Sequence, residues 1–152
     1  MFSDNQGPAL AAFTALNEFP GHEGDPKVNE FGFHELATGD YELGFNFYHT
    51  VFGWDRGPAM PMGGDAGTYL MLGRNGLMIG GMYNKPETVP VPFHWVHYVV
   101  VDNVDQIAAR IPTLGGSVMY GPVDVPNGPR LAMFTDPQGA MLAVYDKPTS
   151  AS

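Results

Sequence analysis

The clearest periodic pattern along the chain is helical and lies just after Asp40. Positions 43, 47 and 51, with 44, 48 and 52, form two neighbouring rows on one face of a helix. Asp40 is a good N-cap, and Gly53 fits the C-terminal end. A second, shorter helix is predicted after Asp102-Asn103, running through Val104 to Ile111, with Pro112 ending it early.

Runs of strand-like residues surround these helices. They cover residues 31–37, 68–72, 77–83, 95–101, 117–120, 130–135 and 140–145. Asn75-Gly76 separates two of them and predicts a tight hairpin, because both residues tolerate a positive φ. Near the N-terminus, Leu10, Phe13, Leu16 and Phe19 recur every three positions, which predicts a short helix from Pro8 to Phe19.

The two halves of the chain repeat one order of elements. Asp40 and Asp102 are 62 residues apart, and Gly76 and Gly139, which each open a final strand, are 63 apart. A nearly constant offset of this kind indicates a duplicated βαβββ unit. We therefore predict an N-terminal extension with a short helix (1–29), a first module (30–88), a second module (89–148) and a tail (149–152). Two curved sheets would form a cup-shaped cavity for a ligand.

Composition removes several classes of function. The chain of 152 residues has 7 Lys and Arg against 16 Asp and Glu, a net charge of −9, which argues against binding to nucleic acids and anionic membranes. It has no cysteine, so disulfides and thiolate sites are excluded. No apolar run approaches the roughly 20 residues of a membrane span, and no leader pattern is visible, so we expect a cytoplasmic protein.

Three segments together carry a family resemblance. FHELATGDYELGFNFYHTVFGW, HYVVVDNVDQIAARIPTLGGSVMYGPVDVP and RLAMFTDPQGAMLAVYD resemble the vicinal oxygen chelate superfamily across roughly residues 30–147. That superfamily includes glyoxalase I, bleomycin-resistance proteins, fosfomycin-resistance enzymes and extradiol dioxygenases. The resemblance implies an α+β fold in which two βαβββ modules share an incompletely closed eight-stranded barrel. It also implies a cup-shaped site and a homodimer.

The enzymes of this superfamily hold a divalent metal at four strand positions. In this sequence the resemblance places the four positions at Phe33, Gly80, Val96 and Ala143. None of these residues has a side-chain atom that can bind a metal ion. We therefore predict no metal cofactor. The alternative is a divalent ion such as Zn, Ni, Fe or Mn in a non-standard set formed by His34, Glu35 and His97. That set requires both first strands to slip by one residue, which would reverse their faces.

Glu35 and Tyr98 are the candidate catalytic residues. Both face the cavity in the predicted register, where burial would raise the pKa of a carboxyl group and let it act as a base or anchor a ligand. The alternative is a structural hydrogen bond between Glu35 and the Tyr98 hydroxyl. In the same predicted register, His34 and His97 face the helices.

The candidate ligand-binding residues are apolar or aromatic: Phe33, Met78, Met82, Val96, Met141 and Tyr145. They favour binding of a small, mostly apolar or aromatic molecule without metal, since methionine and aromatic side chains adapt to flat ligands. An acidic chain suits a cationic ligand. Two alternatives remain: a metal-dependent glyoxalase- or dioxygenase-type enzyme, and a structural or interaction module. Whether the protein is an enzyme is left open.

Overall fold

The structure, a computed structural model, describes residues 1–16, 24–63, 67–126 and 128–146. A short pair of strands, β1 (Phe2–Ser3) and β2 (Ala9–Leu10), comes first. The first repeat then consists of β3 (Phe31–Thr38), α1 (Tyr41–Phe52), β4 (Asp55–Pro61), β5 (Thr68–Arg74) and β6 (Leu77–Asn84). The second consists of β7 (His94–Val100), α2 (Val104–Arg110), β8 (Ser117–Asp124), β9 (Arg130–Thr135) and β10 (Met141–Tyr145).

Each repeat therefore has the predicted order βαβββ. The strands follow the orders β4-β5-β6-β3 and β7-β10-β9-β8, and they make up a mixed sheet of eight strands that does not close. In each repeat the first and last strands pair in parallel, and the remaining pairs are antiparallel. The predicted α+β fold class with an unclosed eight-stranded sheet is confirmed.

The chain divides into two compact units. The first unit is Met1–Gly24 with His34–Trp95, and the second is Asp25–Phe33 with Val96–Ser152. In the first unit, Phe45 and Tyr48 of α1 pack on a sheet face carrying Leu36, Leu70, Leu72 and Met82. In the second unit, Val104 and Ala108 of α2 pack against Ala132 and Val144. Burial of one sheet face under a helix stabilises each unit.

Both helices begin as the sequence predicts. The Asp40 carboxylate accepts hydrogen bonds from the backbone N–H groups of Glu42 and Leu43, at 2.9 and 3.1 Å. Asn103 caps α2 in the same way. Gly53 ends α1 in the left-handed conformation, with φ 69°. Neither helix of the described residues is long and apolar enough to span a membrane.

The N-terminal helix predicted over residues 8–19 is wrong for the described residues 8–16, and residues 17–19 lie outside the described part. Phe13 and Leu16 are exposed, so their spacing does not mark a buried helix face. Instead, Asp4 Oδ1 accepts hydrogen bonds from the backbone N–H groups of Gln6 and Gly7. This turn pairs β1 with β2, so Ala9 and Leu10 lie in a strand and not in a helix.

Strand β4 was not predicted. Its sequence, DRGPAMP, contains Gly57 and two prolines and lacks the alternation of a strand. The structure accommodates them because β4 lies at an edge of the sheet and its register shifts between Arg56 and Ala59, on either side of Pro58. Proline cannot donate to a ladder, so an edge position with an irregularity is where it is tolerated.

Candidate functional site

The two faces of the first unit's sheet carry different side chains. One face packs against α1 through Leu36, Leu70, Leu72 and Met82. Because successive residues of a strand point to opposite faces, the other face carries Glu35, Tyr69, Gly81 and Tyr83, which the strand pairing brings side by side. We call this surface the Glu35 face.

The strand pairing corrects two sequence-based assignments. Leu36 pairs with Met82, and Glu35 pairs with Gly81. Met82 and Gly80 therefore lie on the α1 side of the sheet, where Met82 is fully buried, and not on the face of Glu35 as predicted. The sequence-based register was displaced by one residue at Gly80 and Met82, which reverses the faces of these two residues.

A hydrogen bond crosses the Glu35 face. The Tyr69 hydroxyl donates to Oε2 of Glu35 at 2.9 Å, although Tyr69 is on β5 and Glu35 is on β3, with β6 between them. Neighbouring strands are about 4.8 Å apart, so the tyrosine ring must pass over β6. Gly81 allows this, because a Cβ at that position would lie 2.5 Å from Cζ of Tyr69. The hydrogen bond predicted between Tyr98 and Glu35 stays a prediction, and the structure adds Tyr69 as a donor to Glu35.

Tyr83 completes the aromatic part of this face. Its ring is stacked on that of Tyr69, with centroids 6.1 Å apart and planes 15° from parallel. Burial, together with the negative charge of Glu35, raises the pKa of Tyr83 to about 12. The phenol therefore remains a neutral hydrogen-bonding group at physiological pH.

Methionine side chains border the Glu35 face. Met60 pairs with Tyr69 and is 45% exposed. Met78, a predicted ligand-binding residue, is 44% exposed, and its Sδ lies with Met71 over Gly57. Flexible thioethers beside stacked rings give this surface an adaptable apolar border.

The raised pKa of Tyr83 predicts a loss of stability at alkaline pH. The unfolded tyrosine ionises near its ordinary value of 10.0, while the folded one holds its proton to about 12. The stabilising contribution is therefore complete below about pH 10 and is lost as pH rises toward 12, by at most about 2–3 kcal/mol. Urea unfolding from about pH 9 to pH 11 should show this loss reduced in Tyr83→Phe. An equal alkaline loss in Tyr83→Phe would contradict the prediction.

In the second unit, five of the predicted site residues form one buried cluster. Val96 and Tyr98 are 1% and 4% exposed and pack with Phe33, Met141 and Tyr145. The rings of Phe33 and Tyr98 meet edge to face at 5.9 Å. Ala143 of β10 pairs with Tyr98 of β7, which places both residues on one face of the sheet. Tyr98 belongs to this unit, and Glu35 belongs to the first.

Two open cavities lie outside these groups of residues. One, of about 440 Å³, is in the second unit and is lined by Asp25, Pro26, Lys27, Val28, Val100, Val101, Asp102 and Asp146. The other, of about 390 Å³, is in the first unit and is lined by Gln6, Gly7, Lys85, Val91, Pro92 and Phe93. Neither lining includes Glu35 or Tyr98.

Comparison with known sequences agrees with this architecture. The sequence model of the Glyoxalase/Bleomycin resistance protein/Dioxygenase superfamily matches residues 27–144. The chain belongs to this superfamily. The match covers both βαβββ repeats nearly completely, and the superfamily predicted from the sequence is therefore confirmed.

Curated relatives of this superfamily member are longer than the chain. CFP32 of Mycobacterium tuberculosis, named as a candidate glyoxylase, is 35% identical over 145 residues, covering 93% of this chain and 53% of that protein. The anthracycline biosynthesis protein DnrV of Streptomyces peucetius is 29% identical over 126 residues, covering 74% and 45%. The chain thus spans about half the length of the curated relatives it matches.

Solved structures of low sequence identity share the fold. Methylmalonyl-CoA epimerase from Mycobacterium tuberculosis superposes with a TM-score of 0.61 at 13% identity, covering 84% of this chain and 94% of that chain. A methylmalonyl-CoA epimerase in complex with methylmalonyl-CoA and NH4+ gives 0.62 at 15% identity, covering 83% and 99%. These likenesses establish the superfamily fold.

The metal-binding positions of the superfamily's enzymes do not fit a metal ion in this chain. Phe33, Val96 and Ala143 present only carbon side chains. On β6 the residue that pairs with Glu35 is Gly81 and not Gly80, and neither glycine has a side-chain atom that could bind a metal ion. Within the described ranges, no group of three or more His, Asp or Glu side chains could hold a metal ion. The residues at these positions therefore give no basis for metal-dependent chemistry.

The alternative ligand set also fails on geometry. His34 and Glu35 are consecutive on β3, so their side chains point to opposite faces. His34 shares the α1 side of the sheet with Leu36, as the register used in the sequence analysis predicts. His97 lies in the second unit, and its ring meets Phe31 edge to face at 6.1 Å. Because they point to opposite faces of β3, the side chains of His34 and Glu35 cannot bind the same metal ion.

Tyr69 and Gly81 were not among the site residues predicted from the sequence. The alternation of Tyr69 and Met71 with Leu70 and Leu72 nevertheless places Tyr69 and Met71 outside the α1 core. The signal available was the pair Gly80-Gly81 within a strand. Glycine inside a strand marks a close approach by another group.

Proposed function

We propose that this protein binds a small, mostly apolar or aromatic molecule on the Glu35 face without a metal ion. The carrying observation is that one carboxylate and two stacked tyrosine rings share a sheet face, joined by the hydrogen bond from Tyr69 to Glu35. A carboxylate orients a ligand through its hydrogen-bond donor, and aromatic rings supply stacking area. Exposed Met60 and Met78 add surface that adjusts to ligand shape.

Three further observations support this proposal. The superfamily's metal positions carry Phe33, Val96 and Ala143, so orientation of a ligand has to come from polar side chains such as Glu35. The name of the Streptomyces relative refers to anthracyclines, which are flat aromatic compounds, and this agrees with aromatic stacking as a main contact on this face. The net charge of −9 favours neutral or cationic ligands over anions.

Thermal shift with aromatic compounds tests the proposal. We expect indole, quinoline or proflavine to raise the melting temperature of the wild type, and Glu35→Gln to reduce that rise by at least about half, because the substitution removes the charge while keeping the shape. Metal analysis of protein purified without chelator should find no stoichiometric Zn, Ni, Fe or Mn.

A matched carboxylate elsewhere on the first unit provides the control. Glu42 lies on α1, is exposed and accepts a hydrogen bond from Arg56 Nη1 at 2.7 Å. Glu42→Gln should leave the ligand-induced shift unchanged. Equal shifts in the wild type, Glu35→Gln and Glu42→Gln would remove Glu35 from the site, and stoichiometric metal would overturn binding without metal.

The remaining site assignments stay predictions. Phe33, Val96, Met141 and Tyr145 are buried or partly buried against one another in the second unit, and a role for them in ligand contact needs the same titrations. Catalysis by Glu35 and Tyr98, homodimer formation and a cytoplasmic location likewise stay predictions.

A further inference from the structure

The space above Gly81 already holds an aromatic ring. The backbone of Gly81 is buried, and a Cβ placed on it would meet Cζ and the hydroxyl oxygen of Tyr69 at 2.5 and 2.6 Å. The ring lies over the Gly81 backbone and beside the Tyr83 ring, and its hydroxyl meets the Glu35 carboxylate. We call this space the Tyr69 slot.

From this geometry we infer that the Tyr69 ring is an internal stand-in for the ligand, and that the ligand is an aromatic compound carrying a hydroxyl group. The ligand displaces the Tyr69 ring, lies on the Gly81 backbone, stacks on Tyr83 and donates its hydroxyl hydrogen bond to Glu35. This inference rests on the proposed function, for which it names the class of ligand and the residue that gates the slot.

The chemistry of the slot selects a hydrogen-bond donor. An ionised carboxylate only accepts hydrogen bonds, so a ligand oxygen facing Glu35 has to carry a proton. The group that holds this place in the structure is a phenol O–H, 2.9 Å from Glu35 Oε2. A ligand of the same chemistry reproduces the flat ring over glycine and the hydroxyl hydrogen bond to the carboxylate.

Tyr69 is placed where its ring can leave the slot. It lies on β5, beside the edge strand β4, and is only partly buried. Its partner on β4 is Met60, which is 45% exposed and flexible. The ring can therefore turn toward β4 and solvent without displacing the α1 core, whose side chains are on the opposite face.

Binding of 2-naphthol by the wild type and Tyr69→Ala tests the inference. A slot that is mostly closed lowers the apparent affinity by the fraction that is open. Removing the ring should therefore tighten 2-naphthol binding by about tenfold, measured by titration of the full chain followed by NMR chemical shifts. Tyr69→Phe keeps the ring over Gly81 but loses its hydrogen bond to Glu35, so its affinity should fall between the two.

Two controls separate the slot from a general apolar surface. The ether 2-methoxynaphthalene has the same rings without a donor and should gain much less from Tyr69→Ala. Adding Gly81→Ala to Tyr69→Ala places a methyl group on the slot floor and should cancel most of the gain. Circular dichroism confirms that each variant is folded.

Three results would overturn the inference. The first is that Tyr69→Ala and Tyr69→Phe bind 2-naphthol no more tightly than the wild type does. The second is that Tyr69→Ala tightens binding of the ether as much as binding of 2-naphthol. The third is that adding Gly81→Ala leaves the gain in affinity unchanged. If aromatic compounds bind with no regard to the hydroxyl, the inference fails while the proposed function stands. If neither compound nor the aromatic panel binds any variant, the proposed function fails as well.

Discussion

Tyr48→Ala should lower the free energy of unfolding by about 3–5 kcal/mol, the typical cost of removing a buried aromatic side chain. Tyr48 is fully buried at the centre of the first unit's core. Its ring is stacked on Trp54 at 5.3 Å and meets Trp95 edge to face at 5.3 Å. Its hydroxyl donates to Oδ2 of Asp4 at 2.7 Å and accepts from Nε1 of Trp95 at 3.1 Å. Urea unfolding followed by circular dichroism measures the loss.

Tyr48→Phe divides this effect into its two parts. It keeps the ring contacts but leaves the Asp4 carboxylate, only 7% exposed, without the Tyr48 hydroxyl. An unsatisfied buried partner costs about 1–3 kcal/mol, so Tyr48→Phe should fall between the wild type and Tyr48→Ala. A loss below about 1 kcal/mol in Tyr48→Ala would show that this core does not depend on the Tyr48 ring.

Gly80→Ala is the second substitution with a large expected effect, a loss of about 3 kcal/mol. A Cβ at Gly80 would lie 3.2 Å from the carbonyl carbon of His34 and closer still to its oxygen. These are backbone atoms of the neighbouring strand β3, which pairs with β6 through Gly80. Because a strand cannot rotate away as a side chain can, the methyl group would force the two strands apart. Thermal and urea unfolding should both show the loss.

The adjacent Gly81→Ala is the matched control. The nearest atoms to its Cβ belong to the Tyr69 side chain, which can turn aside. The substitution would break the hydrogen bond from Tyr69 to Glu35. This loss is partly offset because alanine has less conformational entropy than glycine in the unfolded chain. We expect a loss of about 1 kcal/mol or less. Equal losses in Gly80→Ala and Gly81→Ala would contradict the assignment of the backbone contact to Gly80.

The features predicted correctly are those that depend on neighbouring residues. Helix α1 runs from Tyr41 to Phe52 because Asp40 caps one end and Gly53 ends the other. The turn at Asn75-Gly76 has positive φ at both residues, 52° and 80°, as the dipeptide predicts. Each of these signals acts within about four residues, so the local sequence contains it completely.

The predictions that failed concern which face of the sheet the side chains of β6 occupy and whether the N-terminal segment forms a helix. Nearly every residue of the β6 segment LMIGGMY is apolar or glycine. The sequence therefore does not alternate between polar and apolar residues and does not show which side chains face α1 and which lie on the Glu35 face. The N-terminal spacing of Leu10, Phe13 and Leu16 resembled a helix, but Leu10 pairs with Phe2 beyond the turn held by Asp4, and Asp4 itself bonds Tyr48, 44 residues away. Contacts at that separation cannot be inferred from a local pattern.

The sequence by itself determined the duplicated βαβββ order, the ends of α1 and the superfamily. Only the tertiary structure decided that Tyr69 crosses β6 to reach Glu35 over Gly81, and that Met82 belongs to the α1 core. The physical reason is the pairing of β3 with β6. A shift of one residue along that pair leaves every local signal unchanged, yet it exchanges the side chains of the core with those of the site.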